Sequence, residues 1–220
     1  MAPRKEIRQY WFTVEGETEK WYLEWLRETI NKKPEALYQI SIKSKVEQNP
    51  MKFAKVVNPI SARVVTHWCD YESNDAAHVS KFEGILKQLR ESTGSKGKNF
   101  KYNLGYSNFT FELWMVLHKK DCNGSFANRS QYLAPINSAY QENFEDLDKF
   151  KREANFKRVL NKLTLNDVAS AVNRAKVIMN NNKTNKLKLM IYGRYKYYID
   201  NPSLTIWESV EEILKDCNIM

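Results

Sequence analysis

Short β-rich runs alternate with amphipathic helical segments in the first half of the chain, and this alternation strongly limits the folds available to it. Apolar and β-branched residues dominate four runs, at residues 9–14, 38–43, 62–69 and 100–106. Apolar residues recur at helical spacing in residues 17–30, 79–90 and 108–119. Strands that alternate with helices of this length are typical of a parallel sheet covered on both faces. The sequence therefore predicts an α/β fold with a mostly parallel four-stranded sheet flanked by helices.

The second half of the chain has a different pattern. From about residue 125 the strand signal fades, and helical patterns cover residues 145–160, residues 167–179 and a final segment after residue 205. An Asn- and Lys-rich stretch at residues 180–186 predicts a loop. We therefore expect an α/β domain at residues 1–124 and a helical C-terminal region at residues 125–220 that packs on it.

The charge of the chain indicates a polyanionic partner. Its 220 residues include 35 Lys and Arg against 26 Asp and Glu, which gives a net charge of +9. Excess positive charge favours nucleic acid, DNA or RNA, because binding releases counterions from the phosphates. Only 7 glycines occur, and none forms the glycine pattern of a dinucleotide-binding fold or of a P-loop. We therefore do not expect a classical dehydrogenase or an ATPase.

Two further features concern the compartment in which the chain works. The uninterrupted apolar stretches are far shorter than the roughly 18 residues of a membrane span, and the N-terminus lacks an apolar signal core. We expect a cytoplasmic protein that does not associate with membranes. The three cysteines, Cys69, Cys122 and Cys217, lie far apart in the sequence and form no metal-binding pair, so we expect buried free thiols.

Acidic residues follow two of the predicted strands. Glu15 comes directly after the first strand, and Asp70 and Glu72 come after the third. The carboxyl ends of parallel strands meet at one edge of a sheet, so Glu15 and Asp70 should converge. On an extended strand end, the i,i+2 spacing of Asp70 and Glu72 points both side chains the same way. Three carboxylates open to water suit Mg²⁺ or Mn²⁺, although single acids at strand ends more often cap helices.

These acids belong to longer motifs that resemble known families. Val14-Glu-Gly-Glu-Thr-Glu19 followed by Asp70-Tyr-Glu72 is similar to a Toprim domain, the metal-binding fold of topoisomerases, primases and several nucleases. Tyr106-Ser-Asn-Phe-Thr-Phe-Glu-Leu-Trp-Met-Val-Leu-His118 resembles the central motif of the RloB family, usually written YSNPxFELWLLLH. Residues 172–176 and Asn201-Pro-Ser-Leu-Thr205 resemble the C-terminal pattern of the RloB family. The match runs in order across nearly the whole chain.

The resemblance implies a Toprim-like core in a protein of antiphage, abortive-infection defence, often encoded beside an ATPase partner, with nuclease action as the inferred activity. By position, Glu15 is the Toprim glutamate, a candidate acid/base or metal ligand. Asp70 and Glu72 stand where the Toprim DxD motif lies, with Glu replacing the second Asp. Phe109 replaces the usual proline, which can alter the turn before the next helix.

Other polar residues are harder to place from sequence alone. Glu112 lies at the start of a helix near the end of the fourth strand, and we expect it to be an accessory catalytic group. His118 lies six residues later, on roughly the opposite side of that helix, and is expected to be structural or to lie on the surface. His67 falls inside the third strand and is expected in the core or behind the site rather than as a metal ligand.

A candidate nucleic-acid-binding surface lies near the C-terminus. Lys186, Arg194 and Lys196 surround the Asn-rich stretch and a Tyr-rich segment, and exposed tyrosines there could stack on bases. The alternative is a solvated basic loop. At the level of the whole protein, the alternative to a nuclease is a nucleic-acid- or partner-binding module that keeps the fold without turnover.

Overall fold

A mostly parallel five-stranded sheet forms the centre of the computed structural model, which describes residues 5–57, 64–93 and 101–220. Its strands are β1 (Ile7–Val14), β2 (Gln39–Val46), β3 (Val64–Asp70), β4 (Lys101–Asn108) and β7 (Ser203–Leu204), and a separate hairpin comprises β5 (Leu189–Tyr192) and β6 (Tyr195–Tyr198). The order in the sheet is β2-β1-β3-β4-β7, and only β7 runs antiparallel to its neighbour. The mixed α/β architecture and the mostly parallel sheet are therefore as predicted.

Helices cover both faces of this sheet. They are α1 (Glu17–Asn31), α2 (Pro50–Val56), α3 (Ala76–Ser92), α4 (Glu112–Leu117), α5 (Leu133–Tyr140), α6 (Leu147–Lys151), α7 (Glu153–Leu160), α8 (Leu165–Thr184) and α9 (Ile206–Asp216). No helix of the described ranges is both long enough and apolar enough to cross a bilayer. The predicted strand residues Ala62, Arg63 and Phe100 lie outside the described residues.

Alternation along the central strands divides the core into two layers. Phe12, Val14 and Trp68 point to one face, where they pack with helices α1, α4, α8 and α9. Val65 and Cys69 point to the other face, where they pack with α2, α3 and the hairpin. All three cysteines are buried free thiols, as predicted.

Two predictions about strands were wrong. The sheet has five strands rather than four, because Ser203 and Leu204 pair with the end of β4. The C-terminal region is not purely helical either, since residues 189–198 form a hairpin. Gly193 in the turn adopts φ +60, a conformation that favours glycine. The residues on either side of it pair as antiparallel strands. The division at residue 124 remains a prediction.

The boundaries of two predicted helices also differ. The segment 145–160 forms two helices instead of one, because Arg152 is extended between α6 and α7 and so allows Phe150 and Phe156 to pack together in the core. Helix α8 continues through most of the predicted loop at residues 180–186. It does so because the Asn182 side chain is buried and donates a hydrogen bond to the Pro202 carbonyl at 2.9 Å.

Candidate functional site

Glu15 and Asp70 lie together at the carboxyl edge of the sheet. Strands β1 and β3 are neighbours, with Val14 opposite Trp68, so the residues that follow them meet at one edge. Glu15 Oε2 accepts a hydrogen bond from the backbone N–H of Asp70 at 2.8 Å. The structure therefore brings these two predicted residues into direct contact across 55 sequence positions.

Glu72 reaches the same edge by a different route from the predicted one. The chain is not extended there, because Glu72 adopts φ +64, so the i,i+2 argument for Asp70 and Glu72 was wrong. The backbone N–H of Glu72 instead donates to the Phe109 carbonyl at 2.9 Å, which holds the loop against the end of β4. The peptide bond between Asn108 and Phe109 is cis.

Helix α3 supplies two basic side chains to these acids. Lys81 Nζ donates to Glu15 Oε1 at 2.9 Å and to Glu72 Oε1 at 2.6 Å. His78 Nε2 lies 2.7 Å from Glu72 Oε2, and His78 Nδ1 lies 2.6 Å from Asp75 Oδ2. Asp75 is also the N-cap of α3, since its side chain accepts from the His78 N–H. Both oxygens of Glu72 are therefore engaged by residues of one helix.

Glu112 extends the site on the other side of Asp70. The Thr110 hydroxyl lies 3.0 Å from Asp70 Oδ2 and also contacts Glu112 Oε2. Glu112 is only 1% exposed, and Lys151 Nζ at the end of α6 pairs with its Oε1 at 2.9 Å. The structure thus places Glu112 beside Asp70, where the accessory group was expected.

Glu19 is a fourth acid near Asp70 and was not among the predicted site residues. It lies in the first turn of α1, is 5% exposed and accepts a hydrogen bond from the Thr18 hydroxyl at 2.8 Å. Burial, and to a smaller extent the charge of Glu112, raise the pKa of Glu19 to about 7. The sequence signal was its helical spacing from Tyr22, Leu23 and Leu26, which places Glu19 on the buried face of α1.

Asp70 lies at the electrostatic centre of these acids. Burial raises the pKa of Asp70 well above its ordinary value, and the charges of Glu15, Glu19 and Glu112 raise it further. The Thr110 hydroxyl lies between Asp70 and Glu112 and has one proton, so it can donate to only one of the two carboxyl groups at a time. We refer to Glu15, Glu19, Asp70, Glu72 and Glu112 as the carboxylate edge.

The raised pKa of Glu19 predicts a pH dependence of stability. A folded-state pKa near 7, above the ordinary 4.5, gives stability that is present below pH 4.5 and is lost as the pH rises through 7. In the cation-free protein, Glu19→Gln should therefore increase the free energy of unfolding at pH 8, by up to ~3 kcal/mol, and flatten its change between pH 5 and pH 8. Urea unfolding across this range measures the effect.

Glu153→Gln is the matched control, because Glu153 is an exposed helical carboxylate paired with Lys157. It should leave the pH profile unchanged. An equally steep profile for Glu19→Gln and the wild type would contradict the assigned pKa.

Two histidines are structural, as expected. His118 is buried, with Nε2 3.1 Å from the Tyr22 hydroxyl and Nδ1 2.9 Å from the Trp114 carbonyl oxygen, and burial lowers its pKa to about 4. His67 is buried in β3, where Nδ1 lies 2.8 Å from the Thr13 hydroxyl and burial lowers its pKa to about 3. Neither ring contacts the carboxylate edge.

The central motif anchors the C-terminal region to the end of β4. The Tyr106 hydroxyl accepts a hydrogen bond from the Tyr198 N–H at 2.9 Å, and the Asn108 side chain donates to the Ile199 carbonyl at 3.0 Å. Thr205 donates its backbone N–H to the Tyr106 carbonyl at 2.8 Å. The first part of the motif therefore fixes the hairpin and β7, and its continuation supplies Thr110 and Glu112.

The tyrosines predicted to stack on bases are not available for stacking. Tyr195, Tyr197 and Tyr198 are buried, because alternate residues of the short hairpin face the core and Tyr198 joins the segment that leads to β7. The exposed positions near them carry the basic patch, which we define as Lys183, Lys186, Lys188, Arg194 and Lys196. Arg194 already has partners within the protein, since it donates to the Tyr102 carbonyl and lies over the Tyr195 ring.

The donor types at the carboxylate edge fit a hard divalent cation, but Lys81 lies between two of the predicted ligands. Carboxylate oxygens are the ligands that Mg²⁺ and Mn²⁺ prefer, and the mutual repulsion around Asp70 is what a cation relieves. Across the described ranges, no three His, Cys, Asp or Glu side chains converge closely enough to hold one ion. The set of Glu15, Asp70 and Glu72 could close around an ion only after Lys81 has moved.

This arrangement defines a mixed α/β protein with a row of carboxylates at the carboxyl edge of its sheet. A family model described as RloB-like protein matches residues 10–213, which is nearly the whole chain. The chain therefore belongs to the RloB-like family, as its central motif indicated. Comparisons with curated proteins and with solved structures found no match.

Proposed function

We propose that this protein is a divalent-cation-dependent nuclease that cleaves phosphodiester bonds in DNA or RNA. The observation that carries the proposal is the clustering of Glu15, Glu19 and Glu112 around Asp70 at the carboxyl edge of the sheet. Glu19 and Glu112 are buried, and Glu72 is joined to Glu15 through Lys81. Repulsion between acids packed so closely lowers the free energy of unfolding, and such destabilising arrangements are typical of functional sites. The motif similarity to Toprim domains supports the same activity.

In this proposal Glu15, Asp70 and Glu72 hold Mg²⁺ or Mn²⁺. The cation, when bound, supplies an electrophile for the phosphate and lowers the pKa of a water molecule. Glu15 is oriented for this role by the Asp70 N–H, and Glu72 is oriented by His78. Thr110 contacts both Asp70 Oδ2 and Glu112, so Glu112 acts as an accessory group through Thr110.

The basic patch provides a surface for the substrate in this proposal. It lies on and beside the β5–β6 hairpin, which packs against α3 and the end of β3: the Tyr197 ring is 4.9 Å from Phe82 and 5.8 Å from Tyr71. Tyr71 lies between Asp70 and Glu72 in sequence. The hairpin follows β4, since Arg194 contacts Tyr102 near the start of that strand and Tyr198 contacts Tyr106 near its end. In this proposal a nucleic-acid strand bound to the patch runs along β4 toward the carboxylate edge.

Replacement of exposed lysines in the patch should weaken nucleic-acid binding. Lys186 and Lys196 are exposed, whereas Arg194 holds the hairpin, so the informative variant is Lys186→Gln with Lys196→Gln. The slope of log affinity against log salt should become shallower by about 2 if each lysine contacts one phosphate of a duplex. Fluorescence anisotropy over a range of salt concentrations measures this slope.

The matched control is Lys32→Gln with Lys33→Gln, two exposed lysines at the end of α1. They lie near the start of β2, which is the outer strand on the side of the sheet away from β4 and β7. This control should keep the wild-type slope. An unchanged slope for the patch variant would mean that the substrate binds elsewhere.

The wider setting of the proposal comes from the family resemblance. We propose that the nuclease acts in antiphage, abortive-infection defence and that an ATPase encoded beside it controls its activity. A cleavage assay with and without the neighbouring gene product tests this point, because a controlled nuclease should show nucleotide-dependent changes in rate when the two proteins are mixed.

One observation favours a second candidate, a binding module without turnover. Lys81 and Lys151 already pair with carboxylates of the edge, as they would in a site that needs no metal. Such a module should bind nucleic acid equally well with and without Mg²⁺ and should cut no substrate. Titration with Mg²⁺ and Mn²⁺ therefore separates the two candidates.

A further inference from the structure

The ammonium of Lys81 occupies the gap between two acids of the carboxylate edge. It bridges Glu15 at 2.9 Å and Glu72 at 2.6 Å, and these acids follow different strands. No other side chain of the described residues connects Glu15 with Glu72. Lys81 therefore holds the two carboxylates on either side of one positive charge.

Lys81 places a positive charge at this position, because its ammonium donates to both carboxylates. Its single positive charge faces Glu15 and Glu72. One ammonium cannot neutralise two carboxylates, so a doubly charged ion would gain more from the same position.

Lys81 can also leave this position without disturbing the core. Its side chain is 44% exposed, and the flexible stem can swing into solvent, where water replaces its two hydrogen bonds. Lys151, the other cation of the site, differs because its partner Glu112 is almost fully buried and would be left without a charge partner. Of these two lysines, Lys81 is the one that can be exchanged.

We propose that Lys81 is a resident counter-cation, which keeps Glu15 and Glu72 in place in the cation-free protein and yields its position to an incoming divalent cation. This inference rests on the proposed function, because it assigns the cation site to these same carboxylates. It also reconciles the predicted metal ligands with the lysine found between them. Lys81 is then a positioning residue whose removal affects cation affinity.

Equilibrium binding of Mn²⁺, followed by electron paramagnetic resonance, tests the exchange on the full chain. Lys81→Met removes the competing charge and should tighten Mn²⁺ binding by about tenfold or more. Lys81→Arg keeps a cation that can bridge two carboxylates and should bind Mn²⁺ no more tightly than the wild type. Lys87→Met, an exposed lysine nearly two turns further along α3, should not change the affinity. Unchanged or weaker binding by Lys81→Met in a folded protein would overturn the proposal.

A second measurement needs no variant. Reaction of the wild-type protein with an amine-acetylating reagent, read by peptide mass spectrometry, should label Lys81 several-fold faster when Mn²⁺ is saturating, with Lys87 as the internal reference. Mn²⁺ binding without faster labelling of Lys81 would overturn the exchange alone and leave the nuclease proposal standing. Failure of the wild type to bind Mn²⁺ at millimolar concentration would overturn both.

Discussion

Glu15→Gln and Asp70→Asn should each lower the rate of nucleic-acid cleavage by about 10³-fold or more while the protein remains folded. Both changes keep the shape of the side chain and remove the negative charge that would hold the cation, and loss of several kcal/mol of transition-state stabilisation corresponds to a rate loss of this size. Asp70→Asn should also relieve the repulsion that raises the pKa of Asp70, so it is not expected to unfold the protein.

Cleavage of plasmid DNA, single-stranded DNA and RNA with Mg²⁺ or Mn²⁺ measures this effect. Glu17→Gln is the matched control, because Glu17 follows Glu15 by two residues but is an exposed acid in the first turn of α1 that pairs with Lys20. It should cut as well as the wild type. Full activity of Glu15→Gln and Asp70→Asn would remove the site assignment.

The second large effect concerns the buried end of the carboxylate edge. Lys151→Met leaves Glu112, which is 1% exposed, without its cation, and breaking a buried ion pair from one side costs about 3–5 kcal/mol. The double variant Lys151→Met with Glu112→Gln should recover much of this loss, because it leaves no buried charge unpaired. Urea unfolding of the single and double variants gives the coupling free energy.

Lys149→Met is the control for this pair. Lys149 lies on the same helix, α6, and its partner Glu145 is 81% exposed at 3.7 Å, so its loss should cost less than about 1 kcal/mol. An equal decrease in the free energy of unfolding for Lys149→Met and Lys151→Met would show that the buried Lys151–Glu112 pair stabilises the protein no more than the exposed pair does.

Strand β3 could be predicted because it is buried on both faces of the sheet. Its run is nearly continuous in apolar and β-branched residues, as is typical of a central strand, whereas β1 is buried only over its last three residues. Strand β7 could not be predicted, because Ser203 and Leu204 alone form no pattern and pair only through the tertiary position of β4. The hairpin does have a local signal, because Gly193 stands between two short runs rich in Tyr and β-branched residues.

The acids of the site were predictable, whereas their basic partners were not. Glu15 and Asp70 are found by their place after strands, since parallel topology brings strand ends together. Lys81 and Lys151 are two of 35 Lys and Arg residues and lie at helical positions that look solvent-exposed in the sequence. Only the packing of α3 and α6 on the sheet shows which lysines meet the acids. The same holds for His78, which lies three residues after its partner Asp75 and faces Glu72 across the turn.

The central claim is that the carboxylate edge binds a divalent cation, and equilibrium Mn²⁺ binding to the wild type and to Asp70→Asn tests it most directly. The measurement needs neither a substrate nor a partner protein. Our account predicts saturable binding to the wild type and a loss of about tenfold or more in affinity for Asp70→Asn, because this change removes the negative charge of a proposed ligand. No saturable binding, or equal binding by the two proteins, would contradict it.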